Sequence, residues 1–106
     1  MEEPNLNYIK EISGGDSSFE EKIIGLLKVE LPSEIEEFER NFNNKNYELA
    51  ASNVHKLKHK VGILGIPEAH KKTTLFEKQL KQGDTTLLEE FQEITKKITK
   101  FVSKLP

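Results

Sequence analysis

The 106-residue sequence contains no cysteine. That excludes a disulfide framework, thiolate chemistry and cysteine-ligated zinc, and it fits a reducing compartment. Also missing is any run of about 18 apolar residues of the kind that crosses a bilayer. The opening MEEPNLNYIK is too polar for a secretory leader. Nor is there a surplus of positive charge, since sixteen Lys and Arg face eighteen Asp and Glu for a net charge of −2. This balance argues against bulk attraction to nucleic acid or to an anionic membrane. Sustained apolar–polar alternation is absent too, so no half-buried strand is expected. A chain of this length supports one core and leaves no room for a catalytic domain beside a regulatory one. The expectation is a soluble, cytoplasmic, all-α domain spanning residues 1–106.

What is present is helical spacing almost throughout. NLNYIKEIS predicts a short first helix with Leu6, Ile9 and Ile12 on one face, closed by Gly14 and Gly15. The next segment offers two capping boxes, Ser17 with Glu20 and Ser18 with Glu21. An apolar stripe then runs through Ile23, Leu27, Ile35, Phe38 and Phe42, and Pro32 predicts a kink or a split near Leu31. After the polar turn NFNNKN, the residues Tyr47, Ala50, Val54, Leu57, Val61 and Leu64 recur at spacings of three and four. That is a buried helix face.

Gly65 reads as the stop of that helix and Pro67 as the start of another, with Ala69, Thr73, Phe76 and Leu80 inward and Gly83 as its end. A last helix opens on a Thr86–Glu89 capping box and carries Leu87, Phe91, Ile94, Ile98, Phe101 and Leu105 on its face. All six phenylalanines read as core. Four amphipathic helices on short turns predict an antiparallel up-down four-helix bundle with a short extra N-terminal helix. One bundle uses up the apolar residues, so a monomer is expected.

The stretch HKLKHKVGILG, residues 55–65, holds the chemistry. At about 100° per residue His55 points away from the stripe of Val54, Leu57, Val61 and Leu64. Ala51, Ser52 and Gly62 are its small neighbours on the same side. Glycine inside a helix costs about 1 kcal/mol relative to alanine, so Gly62 implies that space matters there. An exposed imidazole in its neutral form is a nucleophile. Lys58, one turn away, can offset the charge of a phosphoryl group attached to it. Lys56 and Lys60 read as a solvated face, at most steering an acidic partner.

Other readings stand beside this one. A solvated surface histidine is the plain alternative for His55. His55 and His59 stand at i and i+4, the spacing of helical zinc ligands. However, no glutamate lies between them, lysines flank them and no third ligand is evident, so no metal is expected. His70 reads as a surface residue. Ile63, pointing away from the stripe, is either a docking contact or a helix-end residue.

The pattern His-x-Leu-Lys followed by Gly62, Leu64 and Gly65, in the second half of a helical chain of this length, resembles the histidine-containing phosphotransfer (HPt) domains of bacterial phosphorelays. The lead-in YIKEISGGDSSFEEKIIGLL and the turn at NKNYELAASNVHKLK extend the match over nearly the whole chain. The resemblance implies that His55 is a phosphoacceptor exchanging its phosphoryl group with aspartates of response-regulator receiver domains or hybrid histidine kinases. It implies Lys58 as the phosphate-stabilising lysine and a docking surface of Ala51, Ser52, His59, Gly62 and Ile63, with Glu77 as polar support from the next helix. Such a module has no turnover alone and no intrinsic cofactor, the Mg²⁺ being held by the receiver. It occurs both as a whole protein and as a domain of a larger kinase. His59 departs from the pattern, because the family commonly has glycine or another small residue there. The competing function is a helical adaptor that binds a receiver without phosphotransfer.

Overall fold

The computed structural model describes residues 2–106, so Met1 of the expected domain lies outside the described residues. Five helices follow in order: α1 Asn7–Ser13, α2 Ser17–Asn43, α3 Tyr47–Ile63, α4 Pro67–Leu80 and α5 Leu88–Ser103. No strand occurs among the described residues. Helix α2 packs on α3, α3 on α4, α4 on α5 and α5 back on α2, which closes a four-helix ring, while α1 packs on α2. Short turns join the ring helices, so neighbours run antiparallel. At 1.5 Å per residue the 27 residues of α2 span about 40 Å and account for the 43 Å long axis of the molecule.

The core forms where the stripes meet. Phe38 of α2, Phe76 of α4 and Phe91 of α5 form a ring cluster with centroids 5.0 to 6.0 Å apart. Helix α3 supplies aliphatic residues, with Ala50, Val54, Leu57, Val61 and the capping Leu64 fully buried. Each buried ring or branched side chain contributes about 2 kcal/mol through removal from water. Ile9, fully buried, pins α1 onto the bundle.

Several local expectations are corrected. Pro32 neither splits nor ends its helix: α2 runs uninterrupted from Ser17 to Asn43, with the proline on its exposed side. The cap of α2 is Asp16, whose carboxylate accepts from the N–H groups of Ser18 and Phe19 at 3.0 and 3.2 Å, rather than either serine. Thr86 does not cap α5, because its N–H and hydroxyl both turn to Asp84 and the helix opens after Leu87 without a side-chain cap. Ile12 and Phe19 are exposed, so only part of the first stripe and five of the six phenylalanines pack inward.

The α3–α4 turn is held by the start of the chain. The N–H of Asn5 donates to the Leu64 carbonyl at 2.8 Å, and its side-chain amide donates to the Gly65 carbonyl at 3.3 Å. Helix α4 begins at Pro67 as expected, with no cap from its own sequence. Instead the carboxylate of Glu2 accepts from the N–H groups of Glu68 and Ala69 at 3.1 and 2.8 Å. Lys97 of α5 donates to the Glu2 carbonyl at 2.9 Å. Residues 2–5 thus fasten the end of α3 and the start of α4, which fixes how α4 sits beside His55.

Candidate functional site

One ridge of α3, formed by Ala51, His55, Lys58 and Gly62 at spacings of four, three and four, runs along α4. His55 is the open point on it, with 51% of its side chain exposed. Its Nδ1 lies 3.0 Å from Oε2 and 3.3 Å from Oε1 of Glu77, on the third turn of α4. Glu77 is itself 90% covered. Lys58 Nζ reaches the same carboxylate at 3.1 Å and Lys81 Nζ lies 3.5 Å away.

Burial opposes ionisation of Glu77, yet the hydrogen bonds and charges of Lys58 and His55 outweigh it and hold the carboxyl below its ordinary range. An ionised carboxylate only accepts hydrogen bonds. Nδ1 of His55 therefore carries a proton toward Glu77, and Nε2 lies on the opposite edge of the ring. The arrangement yields an oriented, half-exposed imidazole whose Nε2 is the ring nitrogen that Glu77 does not hold.

The other expected site residues are placed unevenly. Ser52 and His59 are exposed, as expected of a contact surface. His59 stands perpendicular to His55 with ring centroids 5.1 Å apart. Ile63 is half-buried against the core and presents only part of its side chain. Ala51 is a correction: it is fully buried, because its side of the ridge faces inward beside α4. Gly62 is exposed, but a β-carbon there would stand 3.3 Å from the His70 ring. The small residue therefore makes room for α4's own histidine, and His70 is a packing residue rather than a free surface one. Lys58 is only 18% exposed, and its ammonium lies against the Glu77 carboxylate.

Two groupings escaped the sequence. Lys60, read as solvated, is 15% exposed and bridges to Glu34 at 2.9 Å and Glu30 at 3.3 Å on α2. Burial disfavours its charge, but Glu34 and Glu30 together raise its pKa. Next to it, Asn41 of α2 donates to the buried Asn53 of α3 at 2.7 Å. Lysine in a charged face carries no signal of its partner, and only the acidic residues near Pro32 hinted at one. Among the described residues no group of three or more His, Cys, Asp or Glu is placed to hold a metal ion, and no helix is long and apolar enough to cross a membrane.

A family model for the Hpt domain matches residues 22–104. No curated protein and no solved structure matches the chain.

Proposed function

The chain belongs to the Hpt domain family, whose members carry out histidine phosphotransfer in two-component signalling, and from that premise we propose that His55 is the residue that carries the phosphoryl group. Aspartates of response-regulator receiver domains, free or within hybrid kinases, are the exchange partners. The observation that carries the reading is the Glu77–His55 pair at 3.0 Å, which engages Nδ1 and leaves Nε2 as the ring nitrogen that Glu77 does not hold. When Nε2 attacks phosphorus, the ring gains positive charge that the Glu77 carboxylate balances. Lys58 shares that carboxylate and is within one turn of His55, so it can shift toward the phosphoryl oxygens as their charge arrives.

On this reading the protein is a carrier that exchanges its phosphoryl group and has no turnover of its own. The acceptor aspartate and its Mg²⁺ belong to the receiver, which meets the surface of Ser52, His59 and the exposed parts of Gly62 and Ile63. The module works as a monomer in the cytoplasm. The bulk of His59 near the reactive ring favours one competing reading, an adaptor that docks a receiver without chemistry.

The test is to incubate the protein with a phosphorylated receiver, Mg²⁺ and labelled phosphate. Acid-labile, alkali-stable label on the wild type that disappears in His55→Gln supports the carrier. Absence of label across several receivers, with the fold intact by circular dichroism, supports the adaptor.

A further inference from the structure

The imidazole next to His55 has a position that docking alone does not explain. His59 follows one turn later on the exposed side of α3, and its ring borders that of His55 at 5.1 Å in an edge-to-face arrangement. Because Nδ1 is turned to Glu77, Nε2 occupies the opposite side of the ring. A phosphoryl group on Nε2 carries its oxygens two covalent bonds beyond that edge, into space open to a neighbouring side chain.

Before transfer the nearby cations have carboxylate partners, and of these Lys58 is the one that the carrier reading lets shift toward the phosphoryl oxygens. Lys58 and Lys81 both lie against the Glu77 carboxylate, and Lys60 is drawn to α2 by Glu30 and Glu34. Lys56 is exposed and projects about 100° around the helix from His55. On the α4 side His70 stands against Gly62. Beside Lys58, His59 is the neighbouring ring donor, its centroid 5.1 Å from that of His55.

Resting on the reading of His55 as the phosphoryl carrier, we propose that His59 donates a ring N–H to the phosphoryl group on His55 and so sets how far the transfer equilibrium favours this protein. In the transfer step the Nε2–P bond forms as the P–O bond to the receiver aspartate breaks, and the electron pair leaves with the carboxylate. The Nδ1 proton stays between His55 and Glu77. His59 gives up no proton and acts as a positioning residue through one hydrogen bond to a phosphoryl oxygen.

The experiment compares wild type, His59→Ala and His59→Gln, labelled both with phosphoramidate, a small phosphorus–nitrogen donor, and from a phosphorylated receiver with Mg²⁺. The readouts are label lifetime, the equilibrium share between receiver and carrier, the ³¹P shift of the phosphohistidine against pH, and affinity for the unphosphorylated receiver. His59→Ala is expected to lose about fivefold in equilibrium share, the worth of one net hydrogen bond. Its phosphoryl ionisation should move to higher pH, with His59→Gln recovering part of both changes; any loss of receiver affinity from the docking surface is read separately and does not move the ³¹P titration. Unchanged lifetime and ³¹P titration in His59→Ala, with faster exchange, would overturn the inference and make His59 an obstruction only. Wild type that takes no label from either donor instead overturns the parent reading of His55.

Discussion

Glu77 Oε2 and His55 Nδ1 lie 3.0 Å apart across the α3–α4 interface, so a residue of α4 decides which nitrogen of the α3 histidine is nucleophilic. The direction follows from charge: an ionised carboxylate can only accept, and the proton must then sit on Nδ1.

Replacing that carboxylate tests the relationship directly. Glu77→Gln keeps the side-chain shape but no longer balances the charged ring, and its amide is free to present the wrong group to Nδ1. Single-turnover transfer should slow by about 10²-fold, within the range for loss of a general-base or orienting partner. Lys58→Ala should slow it less and leave the fold intact, since Lys81 still approaches Glu77. A Glu77→Gln variant that transfers at the wild-type rate would remove Glu77 from the site.

Stability should fall at both ends of the pH scale for separate reasons. The folded-state pKa of Glu77 is depressed from 4.5, so its contribution is present above that value and is lost as pH falls through the folded-state pKa. Lys60 is raised from 10.5, so its contribution is present below that value and is lost as pH climbs through the folded-state pKa. Urea midpoints measured against pH should show an acid limb that flattens in Glu77→Gln and an alkaline limb that flattens in Lys60→Met. An unchanged pair of limbs would mean that neither ion pair contributes.

At Gly62 two effects oppose each other. Alanine gains about 1 kcal/mol in helix preference, but its β-carbon presses on the His70 ring at 3.3 Å. The net change in stability should be within about 1 kcal/mol, and adding His70→Ala should release the gain. Gly62→Leu should weaken receiver binding and also destabilise, which calorimetry and denaturation can separate.

Gly65 has no such latitude. Its φ is +73°, and an added β-carbon would lie 2.7 Å from the Asn5 side-chain oxygen. Gly65→Ala should therefore cost about 1–3 kcal/mol. Pairing it with Asn5→Gly should recover only the part due to collision, as thermal melting would show.

The residues separate what was legible in the chain from what was not. Val54, Leu57, Val61 and Leu64 are all buried because a 3.6-residue period names the inner face of α3 without knowledge of any partner. Pro67 and Gly65 fall where backbone chemistry alone puts them. Ala51 and Lys60 were misread for one reason: their surroundings come from α4 and α2, and spacing within α3 cannot reveal which flank a neighbour covers. Of the kink or split expected at Pro32, the split does not occur, because packing of α2 along its whole length outweighs a local cost of about 3 kcal/mol. A short motif singles out His55 and Lys58 as candidates, whereas the bonds that Glu77 makes to both are visible only in three dimensions.

Helix α3 is gripped on both flanks, through Lys60 and Asn53 to α2 and through His55 and Lys58 to α4. These contacts on both flanks oppose a shift of the helix toward an incoming partner. Under the proposed carrier function, adjustment during exchange falls to the visiting domain, which must bring phosphorus into line with Nε2. A carrier built this way presents the same target to every caller, and discrimination among them rests on what surrounds that target rather than on any rearrangement of it.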